Sequence, residues 1–183
     1  MKELRPAANP DAGRWLLRSD AHWTDLVTFG PPGFDEYVRI AFTEKPDGED
    51  PSLRLALATL AAHTATPDSG YAAIWEGWGG EPPAPQAPRL PIPNRPMLLF
   101  TGPVAVLRDA PALAWYGAAS GYQEPHLVWP EDQAWCLACD VDEEIEFTVG
   151  CSADASQALA RALPGAVRRV QYGDPVPTYR NTD

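Results

Sequence analysis

Residues 135–151 have the sequence WCLACDVDEEIEFTVGC, and their alternation is the most informative pattern in the chain. Apolar side chains occupy every second position from Trp135 to Val141 and again from Ile145 to Cys151. Successive side chains of a strand point to opposite faces, so each run predicts a strand with one apolar face. Because an acidic turn joins the two runs, the segment predicts a β-hairpin.

Matching apolar with apolar residues across the hairpin predicts its register. Leu137 then lies opposite Val149, and residues 142–144 form a three-residue turn. On the other face, Asp140 lies opposite Glu146. A slip by one residue would turn these two carboxylates toward the core, so the register also predicts which face is buried.

The three cysteines, Cys136, Cys139 and Cys151, limit the metal and disulfide chemistry that the chain can support. Cys136 and Cys139 have half of a zinc-type spacing, but residues three apart on a strand point to opposite faces. In the predicted register, Cys139 and Cys151 are about 13 Å apart along the ladder. We expect packed, reduced thiols, with a redox or catalytic cysteine and a zinc site as alternatives, and we predict no metal or cofactor.

Helices and strands are predicted on both sides of the hairpin. Ser152 is a suitable cap for a helix over residues 153–163, and a short strand follows at 167–170. Upstream, the signals predict helices at 21–27 (capped by Ser19–Asp20) and 51–63 (capped by Asp50), strands at 37–42, 71–75 and 97–101, and one helical turn at 104–107. The elements lack βαβ repetition, so we predict an α+β fold. It is a single domain with a mainly antiparallel sheet, helices packed on one face, and a C-terminal hairpin followed by a helix.

The length of 183 residues, 45% of them hydrophobic, suits one domain with a substantial core. We place this domain at residues 19–172, between an N-terminal arm at 1–18 and a C-terminal tail at 173–183. Residues 82–96 contain seven of the 21 prolines. They predict an extended, polyproline-like connector on the surface of the domain.

The charge balance excludes some partners. There are 25 acidic and 14 basic side chains, which gives a formal net charge of −11. Nucleic acid is bound mainly through Lys and Arg, so we predict no nucleic-acid partner. No apolar run approaches the roughly 18 to 20 residues of a membrane span, and the first residues do not resemble a signal peptide. We therefore expect a cytoplasmic protein with no membrane partner.

Residues 131–146 contain seven acidic side chains and no Lys or Arg. A patch of one sign attracts a cation or a basic protein or peptide. The candidate partner-binding residues are Asp140, Asp142, Glu143, Glu144 and Glu146. Two alternatives stay open: an exposed hairpin tip relaxed by solvent, and internal pairing with Arg168 or Arg169.

Residues 75–80, WEGWGG, place two indoles and a carboxylate at the end of a predicted strand. Sites for sugars and other small molecules combine stacking Trp side chains with a polar anchor. The candidate ligand-binding residues are His63, Trp75, Glu76, Trp78 and Arg95. The structural alternative is that the Trp side chains are partly buried because they are large, and that His63 caps a helix end.

Four segments carry a family resemblance: FDEYVRI at 34–40, HTATPDSGYAAIWEGWG at 63–79, MLLFTGP at 97–103 and LVWPEDQAWCLACDVD at 127–142. They resemble, in the same order, segments of a family of actinobacterial proteins without an assigned activity. The resemblance implies one coherent bacterial cytoplasmic domain over about residues 20–172, and it supplies no catalytic residues. One departure is FTVGCS at 147–152, where a tyrosine-valine-glycine-glycine-serine type of segment is expected.

The chain contains no nucleophile elbow, P-loop, dinucleotide fingerprint or His-Glu-x-x-His motif, and His126 is an isolated histidine that we interpret as structural. With the acidic charge, this favours a non-enzymatic binding module that engages a protein or peptide partner, as an immunity-like or regulatory protein does. The alternative is a small-molecule or sugar-binding protein, or a hydrolase, in which the Trp, Glu, His and Arg candidates form one pocket.

Overall fold

A computed structural model describes residues 4–43, 51–77, 85–107 and 125–177. The strands are β1 (Arg5–Pro6), β2 (Glu36–Ala41), β3 (Gly70–Trp75), β4 (Arg89–Ile92), β5 (Arg95–Gly102), β6 (Leu127–Pro130), β7 (Cys136–Ala138), β8 (Glu146–Cys151) and β9 (Val167–Val170). The helices are α1 (Trp23–Phe29), α2 (Pro51–Leu60), α3 (Val104–Leu107) and α4 (Ala153–Ala162), with 3-10 turns at Arg14–Leu17 and Ala61–His63.

The strands form one antiparallel sheet in the order β1-β5-β3-β6-β7-β8-β2-β9, with β4 also paired to β5. The predicted α+β fold class is confirmed. Strands that are neighbours in sequence, such as β7 and β8, form hairpins. Strand β2 instead lies between β8 and β9, which are distant from it in sequence. This topology brings the start of β2 and the end of β9 together at one end of the sheet.

The sheet carries a core on each face. Helices α2, α3 and α4 cover one face, where Leu57 and Leu159 pack with Phe147 and Val149 of β8. The other face is covered by α1 and the N-terminal segment, with Val27 and other apolar residues packed against β6 and β7. Thus α1 lies on the face opposite to the other helices. Within the described ranges, no helix has the length and apolar character needed to cross a membrane.

The N-terminal residues belong to the domain from residue 4 onward, so the prediction of a separate arm at 1–18 is wrong for the part that the structure describes. Arg5 and Pro6 pair with the end of β5. Leu16 is fully buried, and Trp15 packs edge-on against Trp129. Burial of these apolar side chains closes the second face of the sheet and ties the segment to it.

The prediction of an extended Pro-rich connector at 82–96 is also wrong over the part that the structure describes. Residues 89–102 form the β4–β5 hairpin, in which Leu90 and Ile92 are buried while Pro91 faces outward. Asn94, with φ of 62°, occupies the left-handed conformation that this tight turn requires. Proline is accepted here because β4 pairs with β5 alone among the described strands and so has an open edge.

The predicted hairpin register is confirmed where the ladder forms, since Leu137 lies opposite Val149. The ladder ends at Ala138, however, and residues 139–145 link the two strands. The predicted three-residue turn and the opposition of Asp140 and Glu146 are therefore wrong. Alternation in an antiparallel ladder would turn the Asp140 N–H toward β8, but this group instead donates to Glu143 Oε2 at 3.0 Å.

All three thiols are buried, and Cys136 and Cys139 belong to the cores on opposite faces of the sheet, as predicted. Burial raises the pKa of the Cys151 thiol to about 12, and it raises that of Cys136 further. Both groups are therefore thiols rather than thiolates at neutral pH. The face of β8 expected to face solvent is buried as well, because α1 covers it.

Several predicted elements are confirmed and others were missed. Ser152 caps α4 as predicted, with its hydroxyl accepting from the Ala155 N–H at 3.2 Å. The first helix begins after His22, whose ring caps it, rather than after Ser19–Asp20. The predicted cap Asp50 lies outside the described residues. Strand β6 was missed, because its short apolar run between two prolines shows no alternation.

Candidate functional site

Arg95, at the start of β5, joins the two groups of candidate residues that the sequence placed in separate sites. Its guanidinium carbon lies 5.3 Å from the ring centroid of Trp23 and 5.3 Å from that of Trp75. Its Nε donates to Asp140 Oδ1 at 2.9 Å, and Nη2 donates to Asp142 Oδ2 at 2.7 Å. The structure thus brings Trp75 and Arg95 of the predicted ligand site together with Asp140 and Asp142 of the predicted acidic site.

This arrangement holds the loop after β7 against the start of β5. Arg95 is only 15% exposed and lies between two aromatic faces that stabilise its charge. Because its donors bind two carboxylates of the loop and the carbonyl of Asn94, the guanidinium acts here as a structural anchor.

The other predicted ligand residues are not gathered around Trp75. Glu76 Oε2 accepts from Arg89 Nε at 2.7 Å, so it forms an ion pair with β4. Trp78 lies outside the described residues. His63 lies near the opposite end of the sheet. Its neighbour Thr64 donates to Asp132, which follows the end of β6. At that end of β6, Pro130 pairs with Gly70, the first residue of β3. Trp75 is the last residue of that strand, about 17 Å away.

A second cluster surrounds Arg39, which lies on β2 and is 0% exposed. Its Nη1 donates to Glu143 Oε1 and to Thr148 Oγ1, and its Nε donates to Glu146 Oε2 at 3.1 Å. Arg168 on β9 donates to both oxygens of Glu146, at 2.9 and 2.7 Å. The alternative of internal pairing with Arg168 is therefore observed, whereas Arg39 was not identified from the sequence.

The two glutamates of this cluster differ in their protonation chemistry. Burial raises the pKa of Glu143 to about 7, against the opposing effect of Arg39. Burial also acts to raise the pKa of Glu146, but hydrogen bonds from Arg168 and Arg39 outweigh it and lower the pKa below its usual value. Near neutral pH, Glu146 is thus ionised, whereas Glu143 is present in both its protonated and its ionised form.

These contacts change the interpretation of the acidic side chains at residues 131–146. Four of its candidate partner-binding residues are held by arginines from β2, β5 and β9, namely Asp140, Asp142, Glu143 and Glu146. Glu144 is exposed and makes no ion pair with the residues that the structure describes. The loop consequently presents outward mainly Glu144 and the half-exposed Asp142.

His126 lies beneath this loop, with its Nδ1 3.1 Å from the carbonyl oxygen of Cys139. Burial lowers the pKa of the ring to about 4, although the contact with Cys139 and the charge of Asp140 oppose the shift. His126 is therefore neutral near pH 7 and serves to join β6 to the loop, in agreement with the structural interpretation.

The His126 ring predicts a pH dependence of stability. Its pKa is lower in the folded than in the unfolded protein, so its contribution is complete above about pH 6.5 and is lost as the pH falls toward 4. Between pH 7 and pH 4.5, we expect His126 to account for roughly 2 to 3 kcal/mol of lost unfolding free energy. Urea unfolding at both pH values should give a smaller difference for His126→Gln than for the wild type.

Glu143→Gln is the matched comparison for this experiment, because Glu143 acts in the opposite direction. Its raised pKa gives stability that is present below about pH 4.5 and lost as the pH rises through about 7. The Glu143→Gln protein should therefore lose more stability than the wild type on acidification. An equal pH dependence in His126→Gln and the wild type would contradict the buried, neutral ring.

At the opposite end of the sheet, a cleft of about 460 Å³ opens between the start of β2 and the end of β9. It is lined by residues 33–37 and 169–172, which include Phe34, Tyr37 and Tyr172. This volume is within the range of small-molecule sites. The cleft could not be predicted from the sequence, because its two walls are more than 130 residues apart in the chain and meet only through the pairing of β2 with β9.

The aromatic walls of the cleft are held in place by hydrogen bonds and packing. The Tyr37 hydroxyl donates to the carbonyl of Pro31 at 2.7 Å, and the Tyr172 hydroxyl donates to that of Gly30 at 3.0 Å. The two rings are 5.2 Å apart in an edge-on arrangement. Gly150 lies beneath, where a Cβ atom would come within 2.5 Å of Phe34, so glycine permits this packing.

The charges of the cleft are mainly acidic. Glu36 Oε1 pairs at 3.1 Å with Arg169, whose side chain is 66% exposed. Glu36 Oε2 is buried and has no donor among the residues described. Asp35 lines the rim, and Asp25 is close enough to add to the effect of burial in raising the pKa of Tyr172. Two carboxylates, those of Asp35 and Glu36, and one guanidinium thus line the aromatic cleft.

No protein-family model, curated protein or solved structure matches this chain. The resemblance to the actinobacterial family therefore stays a prediction. Over the four described ranges, no three His, Cys, Asp or Glu side chains lie together in a way that could hold a metal ion.

Proposed function

We propose that the protein is a binding module that takes up an extended, basic segment of a protein or peptide partner along strand β9. The observation that carries this proposal is the position of β9. It is the last strand of the sheet and, among the residues described, pairs only with β2. An edge strand offers backbone donors and acceptors to an added strand, which is a common mode of peptide recognition.

The ladder geometry defines which groups of β9 are available. Ala41 donates its N–H to the Ala166 carbonyl at 3.0 Å, and β2 and β9 continue from there in antiparallel register. In such a ladder alternate residues turn their backbone groups toward the partner strand. Arg168 therefore bonds to β2, whereas the N–H and C=O groups of Val167 and Arg169 point away from it.

Acidic groups at both ends of β9 favour a basic segment. Glu144, near the end of the loop at 139–145, lies close to the start of β9, where Arg168 binds Glu146. The cleft with Asp35 and Glu36 lies at its other end. Together with the net charge of −11, these carboxylates favour encounter with a basic partner.

The three thiols and the neutral His126 are each at most 7% exposed, so a substrate has little access to them, and this supports binding rather than catalysis by these groups. A second candidate function is small-molecule binding. It is favoured by the cleft, whose volume of about 460 Å³ suits a small ligand, and not by the residues predicted around Trp75.

The proposal predicts that removing one outward N–H of β9 weakens the binding of an extended peptide. Peptides would be selected on the wild type from a random 12-residue library, and their affinities measured by fluorescence anisotropy. Val167→Pro removes the Val167 N–H without removing a bond to β2, and proline is accepted on edge strands. We expect it to weaken binding about tenfold, the effect of one lost backbone hydrogen bond with its partner left unpaired.

Val167→Ala is the matched control, because it shortens the same side chain and keeps the N–H. It should leave the affinity within about twofold of the wild type. The selected peptides should also be rich in Lys and Arg. Failure to select any peptide, or equal binding by Val167→Pro and Val167→Ala, would argue against strand addition at β9.

A further inference from the structure

We propose that the cleft between β2 and β9 receives a basic side chain, the guanidinium or ammonium group of an Arg or Lys, from the segment that binds along β9. We name it the cation cleft, formed by residues 33–37 and 169–172. This inference rests on the proposed function and specifies the chemistry at one end of the binding surface.

The walls of the cation cleft suit a cation. Phe34, Tyr37 and Tyr172 line it, and aromatic faces attract guanidinium and ammonium groups because the quadrupole of a neutral ring makes the potential at its face negative. The hydroxyls of both tyrosines are already bonded to the backbone at residues 30 and 31. The rings are thus positioned before a ligand arrives, which reduces the entropy lost on binding.

The electrostatics of the cation cleft point to the same ligand class. Glu36 offers a carboxylate whose side chain is 20% exposed and whose Oε1 already accepts a guanidinium, that of Arg169, at 3.1 Å. Asp35 on the rim and Asp25 near Tyr172 add negative charge. Arg169 is the only cation in the described lining, and its exposed pairing with Glu36 is weak enough to be displaced.

The position of the cation cleft fits a segment on β9. Its lining begins at Arg169, the second of the two β9 residues with outward backbone groups, and continues to Tyr172. At about 3.3 Å per residue, a segment paired with Val167 and Arg169 reaches the cleft within two or three residues. A side chain as long as Arg or Lys then spans the remaining distance.

The test uses N-acetyl-arginine amide as a probe and N-acetyl-citrulline amide as its uncharged analogue, titrated into the ¹⁵N-labelled full chain and followed by NMR. We expect saturable shifts of the Gly33 and Tyr172 amides with the arginine probe and not with the citrulline probe. Glu36→Gln should weaken binding of the arginine probe about tenfold. Glu144→Gln makes the same change in net charge far from the cleft and should stay within about twofold.

Arg169→Gln separates a cation site from an anion site. In the cation cleft, loss of Arg169 removes a competitor for Glu36, so affinity for the arginine probe should rise about two- to threefold. Arg161→Gln, which changes an exposed arginine on α4, is the control for net charge. Absence of saturable shifts, equal binding of the citrulline probe, Glu36→Gln behaving like Glu144→Gln, or weaker binding by Arg169→Gln would overturn the inference.

The small probe also separates this inference from the proposed function. Because it makes no strand pairing, Val167→Pro should not alter its affinity. If the probe binds the cation cleft but no peptide binds β9, the inference about the cleft is supported and the proposed strand addition at β9 is contradicted. If peptides bind in a Val167-dependent way but the arginine probe does not bind, strand addition stands and the cation cleft is overturned.

Discussion

Replacing Arg39 with Met is expected to lower the free energy of unfolding by about 3 to 5 kcal/mol, because it leaves the buried carboxylate of Glu143 without its cation. Glu143 has a side chain only 2% exposed and depends on Arg39 for its ion pair, whereas Glu146 keeps Arg168. The measurement is urea unfolding of both proteins at pH 8, above the pKa of about 7 that Glu143 has beside Arg39, so that the wild-type carboxylate is charged.

Two further variants test the cause of this loss. Arg168→Met removes a side chain that is 45% exposed and should cost only about 1 kcal/mol or less. In the double variant Arg39→Met/Glu143→Gln, no unpaired charge remains at Glu143, so at least about 1 kcal/mol should be regained. A cost below about 1 kcal/mol for Arg39→Met, or no recovery in the double variant, would contradict a buried network that depends on Arg39.

Phe147→Ala is expected to be about as destabilising, again by about 3 to 5 kcal/mol. Phe147 is fully buried, lies opposite Ile40 of β2 and packs 5.2 Å from the ring of Phe42. The substitution leaves a cavity at the centre of the core beneath α2 and α4. The free energy of unfolding from urea titrations measures the effect.

Glu144→Ala, three residues away, is the control for Phe147→Ala. Its side chain is exposed, so the change should stay within about 0.5 kcal/mol. If the two substitutions had similar costs, the register that places Phe147 inside the sheet would be wrong.

The register of the hairpin could be predicted because a period of two in the side chains leaves one pairing that buries apolar residues together. The loop between its strands could not. Its course depends on Arg39, Arg95 and His126, which lie 13 to about 100 residues away in sequence and contact the loop only after the sheet has formed. A run of carboxylates predicts that something positive will bind it, but not whether that partner is internal.

The candidate sites illustrate the same limit. Trp75 and Arg95 were named correctly as neighbours, yet the partners that occupy Arg95 came from the acidic run assigned to another site. His63 was placed beside Trp75 on the basis of short sequence separation, whereas β3 carries the two apart. The cleft had no local signal, because Tyr37 lies on β2 and Tyr172 follows β9, and these two strands are distant in sequence and meet only by pairing.

By itself, the sequence determined the α+β class, the hairpin register, the capped helix after it and the opposite placement of Cys136 and Cys139. These are local properties, set by side-chain periodicity and turn chemistry within about twenty residues. The tertiary structure alone decided that both faces of the sheet are covered, that arginines from three strands neutralise the acidic loop, and that a cleft forms beside β9. Those features depend on which distant strands become neighbours, since charge pairing and cavity shape are properties of surfaces brought together by packing.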